Sequence, residues 1–436
     1  MAEVIPFKGV IYDSDKAGEE LSRLVAPPYD VISEEEREEL YDRSDYNIIR
    51  LILGRDRDGD GSGINKYTRA GALLREWMGR GIMVEDSKPA FYTYEQKYTF
   101  KGKPFTRTGF LGLMKIGEPE NDDVVPHEHT LSKPKEDRLN LIKEVKCNLS
   151  PIFTLFNDDK GEVASVLDAS KGAEPLLDIK TRGEEHRMWR ITRPEDINKI
   201  VSSLRGKKVF IADGHHRYEV SRSYRDLRRK EPGYDGSADY VMMYFADMSS
   251  PDNLTVMATH RVVKQMPVSS DEALEKISGY FEIIEESGLN PLMARLESAG
   301  PGKHAIGYYD GNRYVFFAPG NEEKVRSLIG GERSAEWKEL DVSVLHSAVL
   351  QSLLGMKPSE GNITYYRDAE DAVAAVDKGE GTAAFLMAPT PVEQLKAVAE
   401  QGEMMPQKST YFYPKLLTGL VINRIQCYSE FSNAVS

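Results

Sequence analysis

The chain has 436 residues, 40% hydrophobic and 29% charged, enough to bury more than one full-sized core; at about 100 to 200 residues per domain it predicts two domains. Its 57 Lys and Arg against 70 Asp and Glu give a net charge of −13, a field that repels a nucleic-acid backbone unless a local basic patch intervenes. No apolar run approaches the roughly 18 to 20 residues that span a bilayer, no signal peptide opens the chain, and Cys147 and Cys427 make no disulfide framework, so the expected setting is a reducing cytoplasm.

In chain order, Ala26-Pro27-Pro28-Tyr29-Asp30 is stiff and extended, because each proline fixes its own φ and turns its predecessor away from helix. Ser33 with Glu36 has the capping-box spacing of a helix start. Residues 48–53 read as a strand and 54–63 as a polar turn; Ala70, Leu73, Leu74, Trp77 and Met78 then recur at helical spacing. Aromatic-rich runs at 91–100 and 105–116 flank Lys101-Gly102-Lys103-Pro104 as a hairpin, and a second hairpin is expected to turn at Asp158-Asp159-Lys160-Gly161. Residues 186–191 read as a strand, 194–204 as a helix, 208–212 as a short buried strand, and 215–229 as a helix. Strands at 240–246 and 256–263 would complete this first sheet. Met266-Pro267-Val268 reads as a link, dividing the chain into 1–266 and 267–436. In the second part Ser269 and Glu272 repeat the capping-box spacing, 307–317 reads as a hairpin turning at Asp310-Gly311-Asn312, and Asp368 opens a helix that ends at Gly379. Alternation of β-rich runs with amphipathic helices makes the predicted class α+β, with a second unit of helices and strands after the first.

The turn at 54–63 holds Asp56, Asp58, Asp60 and Gly61 at the spacing of a calcium loop, but the twelfth position, which should be a bidentate Glu, is Tyr67; we read it as a solvated acidic turn. P-loop, H-E-x-x-H and C-x-x-C motifs are absent from the sequence.

Three polar clusters carry chemistry. In the first, an apolar strand ends in Asp213, Gly214 permits a tight turn, and a helix opens on His215, His216 and Arg217. A helix N-terminus favours anions such as phosphate, and a guanidinium can add a bidentate contact. Asp213 could hold Mg²⁺ or accept a proton, or simply cap the helix, and the two imidazoles can donate to phosphate or exchange protons. Arg222, Arg225, Arg228, Arg229 and Lys230 add a basic stripe, either a solvated face or guidance for an anionic ligand. The second cluster is Pro126-His127-Glu128-His129-Thr130, leading into Lys135, Asp137 and Arg138 at a helix start. His127 and Glu128 could serve as acid and base or, with His129, as metal ligands; Lys135 and Arg138 can meet phosphates. The third lies within 405–415, where Lys408, Ser409 and Thr410 offer a cation and two hydroxyls to an anion.

At these residues the chain resembles a bacterial and archaeal domain-of-unknown-function family often labelled ParB-like, through Ala26-Pro27-Pro28-Tyr29-Asp30, Asn47-Ile48-Ile49-Arg50-Leu51, Pro126-His127-Glu128, 213–219 and 405–415. More distantly, Asp213-Gly214-His215-His216-Arg217 resembles a turn of the ParB and sulfiredoxin superfamily, which includes free-serine kinases. That resemblance implies a ParB/sulfiredoxin-like sheet, nucleotide binding with Gly214, His216 and Arg217 at the phosphates, and phosphoryl transfer. The catalytic carboxylate is not carried over by it; Glu34, Glu35 and Glu128 are candidates, Glu128 favoured for its polar surroundings. The resulting expectation is a cytoplasmic phosphotransferase. ATP or ADP with Mg²⁺ would act on a small hydroxylated metabolite such as serine. Asp213, Glu128, His127 and His216 would be catalytic; Gly214, His215, His216, Arg217, Lys135, Arg138, Lys408, Ser409 and Thr410 would hold the nucleotide, and Asp213 and Glu128 the metal. The alternatives are a ParB-like nucleotide- or DNA-binding regulator and a metal-dependent phosphatase built on His127, His129, His215 and His216.

Overall fold

The computed structural model describes residues 2–118, 122–128, 132–250, 254–358 and 361–426. The chain is α+β and forms two compact units, one of Met1–Val125, Thr130–Leu254 and Pro414–Ser436, the other of Pro126–His129 and Thr255–Tyr413. The long division between them falls at Leu254/Thr255 rather than near 266, and the chain returns to the first unit at Pro414.

The first unit is built on a nine-stranded sheet. Its strands run Val124–Val125, Val209–Asp213, Ile152–Phe156, Tyr240–Asp247, Lys103–Lys115, Phe91–Phe100, Glu184–Ile191 and Leu177–Thr181 in spatial order, with Val4–Ile5 added against Lys103–Lys115. The 91–115 hairpin forms as read, turning through left-handed Lys101 and Gly102. Because side chains alternate across a strand, one face presents Phe91, Phe110, Met243 and Phe245. These pack on the helices Glu162–Ser170 and Pro194–Leu204 in an apolar core. The other face presents Tyr94, Gln96, Arg107, His186 and Tyr244, all buried. A second, four-stranded sheet has the order Met83–Glu85, Gly9–Tyr12, Ile422–Arg424, Cys147–Asn148, and shares a core with the helices Glu34–Arg43 and Lys66–Gly79.

Three local readings differ from the structure. Residues Ile49–Ile52 are helical, not a strand: a short, wholly apolar run has no period to choose between the two, and Asn47 Oδ1 accepts from the Ile49 amide to start the turn. At Asp158-Asp159-Lys160-Gly161 no hairpin forms; left-handed Gly161 opens the helix Glu162–Ser170 instead. Finally, 256–263 breaks into Thr255–Met257 and His260–Val263, and both belong to the second unit.

The second unit holds an antiparallel six-stranded sheet, ordered Phe281–Glu286, Tyr314–Pro319, Ile306–Tyr309, Ala383–Met387, His260–Val263, Ile363–Tyr366. The helices Leu289–Ala299 and Ala369–Asp377 cover one face. Thr255–Met257 pairs separately with Tyr411–Tyr413. Among the described residues no helix is long and apolar enough to cross a membrane.

Candidate functional site

The first polar cluster forms as a strand, a turn and a helix. Val209–Asp213 is apolar and buried up to its last residue, and its register against Ile152–Phe156 shifts between Ile211 and Asp213. Gly214 then takes φ +97, the left-handed region, and the helix His215–Arg228 begins. Glycine is required twice over. A side chain would be strained at that φ, and its Cβ would lie 2.9 Å from Arg217 Nε.

Asp213 does not cap the helix, since Gly214 occupies that position. Its Oδ2 accepts from Arg217 Nη2 at 2.6 Å and its Oδ1 from Lys415 Nζ at 2.6 Å. Arg217 also donates through Nη1 to the Pro151 carbonyl, which fixes the guanidinium plane. Burial by itself would raise the Asp213 carboxyl, but Lys415, Arg217 and, more weakly, His215 hold it well below the usual carboxylate range. At neutral pH the carboxylate is thus ionised between two cations.

Beside this turn lies a cavity of about 60 Å³, room for several waters, at the junction of three apolar clusters. Arg217, Arg138 and Tyr29 line it, with Ile142, Cys147 and Val220 among its apolar walls. Arg138 comes from the helix Ser132–Val145. Its guanidinium sits 4.1 Å from the Tyr29 ring centroid, donates to Ile52 O at 2.6 Å, and pairs with Asp137 through Nε at 2.8 Å. Asp137, whose carboxyl burial would raise but Arg138 lowers, also accepts from Tyr67 at 2.8 Å. Burial pushes the Cys147 thiol up to about 12, so it is a neutral wall and not a nucleophile. Lys135 reaches Glu219 at 2.8 Å, on the Arg217 helix. The sequence-predicted Arg138 and Arg217 therefore share one cavity, and Lys135 joins their two helices.

The other predicted residues gather in the second unit. His127 Nε2 meets Thr410 Oγ1 at 3.1 Å, the His127 carbonyl accepts from the Met405 amide at 2.7 Å, and Glu128 bridges to Met405. Left-handed Lys408 gives its carbonyl to Arg261 Nη2 at 3.0 Å, and Ser409 donates to Pro406 O. Arg261 is itself buried; burial lowers it to about 10, with Tyr365 and Glu128 opposing. Two sequence clusters thus meet around a residue that no motif marked. His129 and Thr130 lie outside the described residues, as does Cys427. Glu34 and Glu35 sit exposed in the first turn of their helix.

Among the described residues no group of three or more His, Cys, Asp or Glu side chains is placed to hold a metal. The acidic turn at 54–63 is tied by cations: Lys66 reaches Asp56 at 3.2 Å, and Arg69 grips Asp60, lowering its carboxyl to about 2. The four arginines of the basic stripe are likewise paired, Arg222 with Asp122, Arg225 with Asp226 at 2.8 Å, Arg228 with Glu231 at 3.2 Å, and Arg229 with Asp239 at 2.9 Å. It is a solvated and partly buried ion-pair face, not an open track for an anion.

Sequence reasoning missed Tyr29, Lys415, Arg107, Gln96 and Arg261 as parts of these arrangements. Tyr29 had a local signal, the rigid Pro-Pro pair that aims it, and Lys415 ends the polar cluster at 405–415.

Fold and sites define an α+β chain with an ion-paired strand-glycine-helix turn in its first unit. The chain belongs to the DUF1015 family, described as "Protein of unknown function", whose family model matches residues 4–343. No curated protein matches it. Among solved structures, a conserved hypothetical protein from Pyrococcus furiosus is 16% identical over 67% of this chain and 89% of its own, with a TM-score of 0.33. A free serine kinase in complex with AMP is 18% identical over 66% and 83%, at 0.32. SbnI with a C-terminal truncation, from Staphylococcus aureus, is 12% identical over 71% and 85%, at 0.35.

Proposed function

We propose that the first unit binds ATP or ADP at the Gly214 turn and transfers a phosphoryl group to or from a small hydroxylated metabolite such as serine. The observation that supports this best is the meeting of Arg217 and Lys415 on Asp213 at the Gly214 turn, where the helix His215–Arg228 begins. Two cations at a helix start suit phosphates, and the small cavity lined by Arg217, Arg138 and Tyr29 offers apolar surface next to Arg217.

In this reading Arg217 and Lys415 stabilise charge on the transferred group, and His216 adds a donor from the first turn of the helix. Asp213 keeps both cations aimed and accepts a hydrogen bond from the incoming hydroxyl, helping to orient it. A divalent ion suits the nucleotide's phosphates. It does not suit Asp213 as a resident ligand, because both oxygens already face cations. Glu128 and His127 belong to the second unit. A DNA-binding, ParB-like role would need an open basic face, and the arginine helix does not supply one.

Calorimetric titration with ADP and with ATP, followed by turnover against a panel of hydroxy-metabolites, tests the proposal. A protein that binds neither nucleotide refutes it; one that binds but transfers nothing reduces it to nucleotide binding.

A further inference from the structure

The polar face of the nine-stranded sheet is covered by a short strap, residues 414–418, which brings Lys415 to Asp213. Three contacts fix its backbone. Arg107, fully buried, donates to the Pro414 carbonyl; Gln96 Nε2 donates to the Lys415 carbonyl at 3.1 Å; and Thr418 forms a two-way bridge with Ala26, its amide meeting Ala26 O at 2.8 Å. Arg107 and Gln96 are cross-strand partners, and Arg107 Nε donates to Gln96 Oε1 at 3.1 Å, so the two grip as one unit. The Arg107 guanidinium also lies 4.7 Å from the centroid of Phe153, the residue paired with Asp213 across the sheet. At the far end, Ala26 leads through two prolines to Tyr29 on the cavity wall. One strap therefore touches both sides of the candidate site, Asp213 through Lys415 and Tyr29 through Ala26.

A buried guanidinium is expensive to desolvate, and the alternative of an apolar pair at 96 and 107 would fill the same space without that cost. Hydrogen bonds to two backbone carbonyls fix a register that an apolar pair could not, because apolar contacts are not directional. We infer that Arg107, with Gln96, is a positioning residue of this site: by gripping the Pro414 and Lys415 carbonyls it sets the strap so that the Lys415 ammonium lands on Asp213. The inference rests on the Asp213–Arg217 turn being the working part of the site, but not on nucleotide being its ligand.

The groups facing Asp213 are Arg217 and His215 from the helix that follows its strand, Lys415 from the strap, and Tyr29. Removing one cation at contact distance moves a carboxyl up by about 1 to 3 on the pH scale. The test follows the Asp213 carboxyl by carbon-13 NMR of aspartate-labelled full-length protein, its resonance identified by its loss in Asp213→Asn. Lys415→Met is the reference and should raise the titration midpoint by that amount. Arg107→Met, and Gln96→Met should the arginine variant fail to fold, should raise it in the same direction although neither touches Asp213. Arg107→Lys, which keeps a donor for Pro414, should restore part of the wild-type midpoint. A wild-type midpoint in Arg107→Met or Gln96→Met, accompanied only by a lower melting temperature, would overturn the inference. Failure of ADP to bind wild-type protein would sink the proposed function while leaving this readout intact.

Discussion

Asp213 was open to two readings in the sequence, helix cap or chemical group, and the ion pairs change what its substitution should do. As a cap, Asp213→Asn would be nearly silent, since Asn caps about as well. In the structure Asn would leave Arg217 and Lys415 facing each other without an anion. We expect Asp213→Asn to lose about 3 kcal/mol of stability, as broken buried pairs do, and, if the proposed chemistry holds, about a hundredfold in turnover. Melting temperature and turnover on one preparation decide it: wild-type values of both would refute the assignment. In a second buried pair, one group titrates near neutrality. Burial raises Glu184 to about 7, while burial, then the Arg107 charge, lowers His186 to about 4; the two groups lie 3.4 Å apart. Between about pH 4.5 and 7 the native state holds a proton on Glu184 that the unfolded chain releases, so this group's contribution falls as pH rises. For His186 the unfolded chain holds the extra proton between about pH 4 and 6.5, so its contribution rises with pH. The slopes oppose each other up to about 6.5, and above that Glu184 remains as a net cost of about 3 kcal/mol. Glu184→Gln should therefore be more stable than wild type at pH 8 and lose that advantage toward pH 5. Denaturant titrations at the two pH values check the sign.

Elements were legible where a side chain announces its own local bond. Ser33 and Ser269 accept from the amides of Glu36 and Glu272, and Pro194 opens its helix, each as the sequence indicates. They were illegible where the choice depends on distant packing, as in the apolar residues 48–53, or where a glycine opens a helix instead of closing a hairpin, as at Gly161. The Gly214 turn was legible as a motif, but its internal geometry was not: Lys415, far along the chain, completes it, and no spacing rule links the two. The glycine itself gives an element-scale prediction. Gly214→Ala meets both the strain of a left-handed residue, about 1 to 2 kcal/mol, and a collision with the Arg217 guanidinium. Gly161→Ala meets the strain alone, since nothing lies within 4 Å of its Cβ position. Both should lower the melting temperature, but only Gly214→Ala should weaken ADP binding, by about tenfold or more as the guanidinium contact is displaced. Equal affinities in the two variants would dissociate Arg217 from the ligand.

At the scale of the molecule, a boundary read near 266 gave two consecutive blocks, whereas the chain leaves the first unit and returns to it. Linkers show in composition, but a return shows only in pairing. Residues after Tyr413 rejoin the first unit: Leu416, Leu417, Leu420 and Ile422 are buried, and Ile422–Arg424 sits between Gly9–Tyr12 and Cys147–Asn148 in the four-stranded sheet. Truncation after Tyr413 therefore cuts beside the second unit yet removes structure from the first. It deletes a central strand, the strap with Lys415, and several buried apolar side chains. At about 1.5 to 3 kcal/mol each when fully buried, those side chains approach the whole stability of an ordinary domain. Hydrogen exchange followed by mass spectrometry should show lost protection in segments containing Val10, Cys147 and Gln96. The second-unit strands Ile306–Tyr309 and Ala383–Met387, which pair with each other and not with the deleted segment, should keep theirs. Loss confined to the second unit would mean that the C-terminal segment belongs there, and would remove Lys415 from the Asp213 site.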